Sequence, residues 1–420
     1  MSLRRFALAL VLAATVAPGP ACPGLAQPAS APAEVQYFWE SPAELSALSV
    51  IADRFTALGG NWVGVPTTSA RENRILAIQR ISRGVPPFAI QWHAGRDIGL
   101  IADSGVIMDL SALAADAGWR EMLNPTVPDW ITRDGATLAL PVAIHAENWA
   151  WYNSAILRAI GAGAPGDWTA LAAVLETARD AGYPGIAMSP EPWQRMLLFW
   201  QVLAGAPDPD LARALVGEGD PSVVDRDSFR TAFGDFARLR RFDAHLPGVA
   251  GWRDAAEAVL RGDALVHFMG DWVLAEFRRQ GAVAGRDFEC VIGTGAVRRH
   301  LSVIDVFIFP RTGDRALTGD HRRLAATVLD RTVQAEFARR KGAIPVRADL
   351  HAEIDDPCSQ SAYDTLGDGS RSVPAAAMFA DERLLAALTG VIDDFWGNLD
   401  TDVATGIERI RAALAGARRN

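Results

Sequence analysis

Between residues 35 and 92 the hydrophobic pattern switches repeatedly between two periods, and this restricts the fold more than any other feature. Val35-Gln36-Tyr37-Phe38-Trp39 alternates and is rich in aromatics, as a strand is. Glu44 to Leu58 carries Leu45, Leu48, Ile51, Ala52 and Phe55 at helical spacing and stops at Gly59-Gly60. Asn61 to Pro66 reads as a strand, Arg71 to Ile81 as a helix and Phe88 to Trp92 as a strand. Strand, helix, strand, helix, strand is the signature of a parallel sheet covered by helices. The fold class is therefore α/β.

After Asp134-Gly135 the pattern changes. Thr137 to Pro141 is a short strand entering a crossover, and Trp149 to Asn153 is another strand. Trp168–Ala181, Glu191–Leu203, Asp227–Phe242 and Trp252–Arg261 are helical, and Ala264 to Met269 is a strand. Strand character returns at Phe288–Ile292 and Ser302–Phe309, and one long amphipathic helix is expected over 319–341. A helical tail with Phe395 and Trp396 closes the chain. The length of 420 residues suits two large lobes or two to three domain-sized units.

The first residues read as a secretion signal. Arg4 and Arg5 precede the short apolar run Phe6–Val16, and Gly24-Leu25-Ala26 offers small residues for cleavage after Ala26. That run is well below the ~20 residues needed to span a bilayer. Residues 1–26 are thus expected to be removed and the mature protein to be periplasmic. Half of the residues are hydrophobic and 22% are charged, which excludes disorder. With 41 Lys+Arg against 50 Asp+Glu and no basic stripe, nucleic acid and anionic lipid are poor partners. Without Cys22 of the signal, Cys290 and Cys358 remain as an even pair in an oxidising compartment. Counting prefers a bridge, with two buried free thiols as the competing reading.

Several segments, in order, resemble the extracellular solute-binding proteins of ABC sugar importers, in particular the glucose-type branch. Phe38-Trp39-Glu40-Ser41-Pro42-Ala43-Glu44 is similar to its opening Trp-Trp-x-x-x-x-Glu, and Ala102 to Leu110 to its stretch before an x-Asp-Leu turn. Pro141-Val142 with Trp151-Tyr152-Asn153 looks like its crossover, and Met269-Gly270-Asp271-Trp272 like its Met-Gly-Asp-Trp motif. Lys341-Gly342-Ala343-Ile344-Pro345-Val346-Arg347 is similar to its Lys-Gly-Ser-Ile-Pro-x-Arg segment. Cys290 and Cys358 sit where that branch keeps a bridged pair, so the resemblance implies a disulfide. It also implies a two-lobed periplasmic-binding-protein fold, each lobe a mainly parallel sheet flanked by helices and joined by hinge crossovers. Residues 27–138 and 289–343 would form one lobe, and 139–288 with 344–420 the other.

Sugar recognition needs flat apolar surfaces for pyranose faces and charged groups for hydroxyls. Trp39 ends the first strand at the sheet edge where open α/β sheets bind ligands. Phe38 stands beside it, and one of the two is expected to face inward. Glu44 and Lys341 resemble ligand residues of the branch, although a helix start and a helix end favour those charges anyway. Glu40 is a weaker substitute for Glu44. Asp305 lies among Val303, Ile304, Val306 and Phe307, where a carboxylate must be paired or used. Asp271 and Trp272 either bind ligand or cap the helix that begins at Gly270.

Three departures disfavour plain glucose. His93 stands where the branch has a Lys, Val303 where it has an Asn, and Ala375-Ala376-Ala377 lacks its late His. His93 is expected to make affinity depend on pH between 5.5 and 7.5.

A secreted glycoside hydrolase is the leading alternative, since Glu40, Glu44, Glu147, Asp271 and Asp305 supply enough acids. Its weakness is the lack of an eightfold strand-helix cycle. The seven histidines are scattered without ligand spacing, so no metal is expected, and His93, His145 and His267 converge only if the fold brings them together. No Gly-x-Ser-x-Gly elbow and no phosphate-binding Gly-x-x-x-x-Gly-Lys loop occurs, so no catalytic residue and no cofactor is expected. The reading is a monomer that closes two lobes about a carbohydrate-like solute and docks on a membrane permease.

Overall fold

The computed structural model describes residues 31–311, 317–367 and 371–418; the expected signal segment 1–26 and Cys22 lie outside them. The strands, in chain order, are β1 Ala33–Tyr37, β2 Trp62–Pro66, β3 Ala89–His93, β4 Thr132–Arg133, β5 Ala136–Thr137 and β6 Leu140–Ala146. They continue as β7 Trp149–Asn153, β8 Val266–Met269, β9 Phe288–Ile292, β10 His300–Ile308, β11 Ile344–Pro345 and β12 Ser372–Pro374.

Two sheets organise the molecule. A seven-stranded sheet runs β11-β6-β10-β3-β1-β2, with β12 paired to the start of β10. Its first strands are parallel, as the strand-helix alternation requires: β1 pairs with both β2 and β3 in that sense. The helices Pro42–Ala57 and Ala70–Ser82 make the crossovers. β10 then enters antiparallel between β3 and β6, setting Asp305 opposite His93 and Val303 opposite His145.

The second sheet, β8-β7-β9, is antiparallel throughout, which corrects the expectation of a mainly parallel sheet in both lobes. Chain direction explains it. β7 leaves the first sheet immediately after β6, whereas β8 and β9 both run back towards it. Sheet membership also departs from the sequence division. β6, β11 and β12, assigned to the second lobe, pair in the seven-stranded sheet, and β9, from residue 289 assigned to the first, pairs in the three-stranded one.

Local signals account for the helix ends. Ser41 and Glu44 form a capping box at the start of Pro42–Ala57. The helix expected over 319–341 is two, Gly319–Val328 and Arg331–Lys341. Asp330 breaks it, because its side chain accepts the backbone N–H groups of Thr332 and Val333 in an extended N-cap conformation. In the second lobe Phe199, Phe229, Phe233, Phe236 and Phe395 are fully buried between the helices Pro192–Ala204, Asp227–Leu239 and Glu382–Gly397. Each such ring contributes roughly 1.5–3 kcal/mol by burial. A disulfide joins Cys290 of β9 to Cys358 at the start of helix Pro357–Leu366, closing a separation of 68 residues.

Candidate ligand-binding site

All eight residues expected to bind ligand meet where the two sheets adjoin. Trp39 lies two residues past β1 and is 2% exposed, with its ring against Phe307 and Phe337 and its Nε1–H donating to Asp305 Oδ2 at 3.3 Å. It is the inward member of its pair. Phe38 is half-buried and meets the His93 ring edge-on at 5.3 Å.

Glu44 and Lys341 stand at the helix start and helix end as expected, and they also pair with each other. Glu44 Oε2 accepts the N–H groups of Glu40 and Ser41 at the helix start, while Oε1 pairs with Lys341 Nζ at 2.9 Å. Lys341, 2% exposed at the end of its helix, also lies over the rings of Trp39 and Trp272 at 5.8 and 5.7 Å. Asp271 does not cap its helix with its side chain. Its carboxylate instead accepts Ala146 N–H at 2.8 Å and contacts His145 Nδ1 at 2.6 Å.

His145 is the group at the centre that sequence reasoning passed over, weighing it only as a metal ligand. Its Nε2 lies 3.2 Å from Asp305 Oδ2, so the ring stands between two carboxylates. The available signal was the one applied to Asp305, a polar residue inside the apolar run Leu140–Ala146. Glu276 was missed as well: fully buried on the helix Trp272–Arg279, it accepts Ala43 N–H at 3.1 Å and so joins the lobes.

The electrostatics follow from burial and proximity. Burial alone would lower the His145 pKa, but Asp271 and the bond to Asp305 raise it to about 9. Burial would raise Asp305, yet His145, His93 and Lys341 hold it at about 2. Burial lowers His93 to about 4 despite Asp305 at 3.6 Å, with Arg74, His145 and Lys341 adding to the effect. His93 is therefore neutral throughout pH 5.5–7.5, which corrects the expectation that it titrates there. A cavity of about 160 Å³ beside Trp130, Ser302 and Ile304 lies on the other face of β10 from Asp305 and touches none of these groups.

Residues 40–285 match the model of the bacterial extracellular solute-binding protein family. The chain belongs to the bacterial extracellular solute-binding proteins. Among them it is 29% identical over 394 residues to a probable sugar-binding periplasmic protein of Brucella suis biovar 1, covering 92% of each chain. A chitin oligosaccharide binding protein has a similar structure, with a TM-score of 0.74 at 15% identity over 93% of this chain and 100% of that one. A solute receptor with an exclusive preference for β-D-galactopyranose gives 0.74 at 15% identity, over 92% and 98%. At such identities the likeness establishes the two-lobed fold. Among the described residues of this solute-binding protein, no helix is long and apolar enough to cross a membrane. No group of three or more His, Cys, Asp or Glu there is placed to hold a metal ion.

Proposed function

We propose that this protein binds a carbohydrate between its lobes and delivers it unaltered to the permease of an ABC importer, as a periplasmic monomer released from its signal after Ala26. One observation carries the reading. Three aromatic rings and five charged or polar groups, Phe38, Trp39, Trp272, Glu44, His93, Asp271, Asp305 and Lys341, converge at the seam of the two sheets. This is the mixture that pyranose faces and hydroxyls demand. Sugar-binding names among the relatives support it.

The hinge we assign to Glu147-Asn148, to residues 293–299 and to the segment after β12, where the chain passes between the sheets. Asn148 braces the first two crossings, because its side chain bonds Arg299 O at 2.7 Å and Leu301 N–H at 2.9 Å. His93, Val303 and Ala375–Ala377 favour a ligand other than plain glucose. Membership of a solute-binding family favours binding over the hydrolase alternative, and Asp271 and Asp305 are both engaged with His145.

Calorimetry against mono- and oligosaccharides, sugar acids and polyols is expected to find stoichiometric binding of at least one intact sugar. Chromogenic glycosides should not be cleaved. Asp305→Ala should weaken that binding about tenfold or more, since a charged hydrogen bond contributes about 1.5–3 kcal/mol. A folded protein that binds nothing in the panel overturns the reading.

A further inference from the structure

We propose that His145 is a positioning residue that couples Asp305, a carboxylate of the candidate ligand site, to the hinge. The role of Asp305 towards ligand rests on the carbohydrate-binding reading; the coupling rests on geometry.

His145 stands on β6, two residues before Glu147-Asn148 takes the chain into the second sheet. Its ring is 2% exposed and touches carboxylates from both bodies: Asp271 follows β8 of the second sheet, and Asp305 lies on β10 of the first. Asp271 also grips the last residue of β6 from both sides. Its N–H donates to Ala146 O at 3.0 Å, and its Oδ2 accepts Ala146 N–H at 2.8 Å. Asp305 meanwhile receives Trp39 Nε1–H. One imidazole thus contacts the hinge clamp on one edge and the candidate ligand carboxylate on the other.

The proton count makes this a two-state element. An imidazolium carries an N–H on both nitrogens and a positive charge facing both carboxylates, hydrogen-bonded to Asp271 and in ion-pair contact with Asp305, whereas neutral imidazole has one N–H and presents a lone pair to one of them. The groups acting on the ring are Asp271, Asp305 and Lys341, with Glu147, His93 and His300 each responding to its charge. Burial opposes the charge and the two aspartates overcome it, placing the titration at about 9. Below that pH the cation holds Asp305 ionised and oriented and links it through Asp271 to Ala146. As pH rises through the titration, one of the two links is lost.

Histidine-15N NMR of the whole protein between pH 6 and 10 tests this, with the His145 signal assigned by its disappearance in His145→Gln. The wild-type midpoint is expected near 9, and Asp271→Asn and Asp305→Asn should each lower it by about one unit or more. Calorimetry with D-galactose and chitobiose reads the consequence. Affinity should fall about tenfold between pH 8 and 10 in the wild type, at lower pH in Asp271→Asn, and show no such limb in His145→Gln. A midpoint at the ordinary imidazole value, or one that either asparagine leaves in place in a cooperatively unfolding protein, overturns the coupling. If neither sugar binds, the calorimetry counts against the carbohydrate reading while the NMR midpoints still decide the coupling.

Discussion

Glu147 stands half-buried where the chain first crosses between the sheets. Its backbone N–H donates to Leu301 O at 2.9 Å and its carbonyl accepts Gln201 Nε2–H at 2.8 Å. Its carboxylate has no hydrogen bond or ion pair among the described residues. Burial pushes its pKa from 4.5 to about 8, with Asp271 and Asp305 adding to the rise and His145 opposing it. The folded state therefore holds this proton more tightly than the unfolded chain, and stability falls as pH rises from 4.5 to about 8. Glu147→Gln should raise the melting temperature at pH 8 by about 2 °C or more, with a much smaller gain at pH 5. Calorimetric scans at the two pH values check it; equal shifts would contradict the assignment. His93 shows the same effect on a base, where burial lowers the pKa and keeps the ring neutral.

At the scale of elements, the helix Arg331–Lys341 is fixed from both sides of its C-terminus. Gly342 ends it with φ of 77°, and a Cβ there would stand 2.6 Å from Asp271 O. That close approach sets the start of helix Trp272–Arg279 against the end that carries Lys341. Gly342→Ala should lose about 1–2 kcal/mol from the left-handed backbone and, in addition, displace Asp271. Gly84→Ala is the control, since it also has positive φ (72°) but nothing within 4 Å of its Cβ. Thermal denaturation and sugar calorimetry of both variants are expected to show greater destabilisation, and weakened binding, in Gly342→Ala alone.

For the whole molecule, the lobes touch at more than the hinge. Arg96 Nη2 meets Asp381 Oδ2 at 3.3 Å, and Arg74 pairs with Glu382, joining the first sheet's surroundings to the start of helix Glu382–Gly397. These partly exposed pairs contribute little each, about 0–1 kcal/mol, and can be broken when the lobes separate. Hinge closure then predicts a smaller radius of gyration with a bound sugar than without it, measured by small-angle X-ray scattering. No compaction with a tightly bound sugar would exclude the mechanism.

Sequence periodicity by itself determined most elements, because it reports which face of a segment is buried. Strands 149–153 and 288–292 and helix Trp252–Arg261 lie where the pattern places them. The resemblance named eight residues that meet at the seam of the two sheets and implied the Cys290–Cys358 bridge. Periodicity carries no information about partners, however. The antiparallel second sheet, the sheet membership of β6, β9, β11 and β12, and the inward turn of Trp39 were decided by tertiary structure. So was the site's centre. His145 reads as one polar residue in an apolar strand until Asp271 and Asp305, 126 and 160 positions away, are packed against its two nitrogens. Burial then makes their charges, rather than the imidazole's own chemistry, set where its proton is lost.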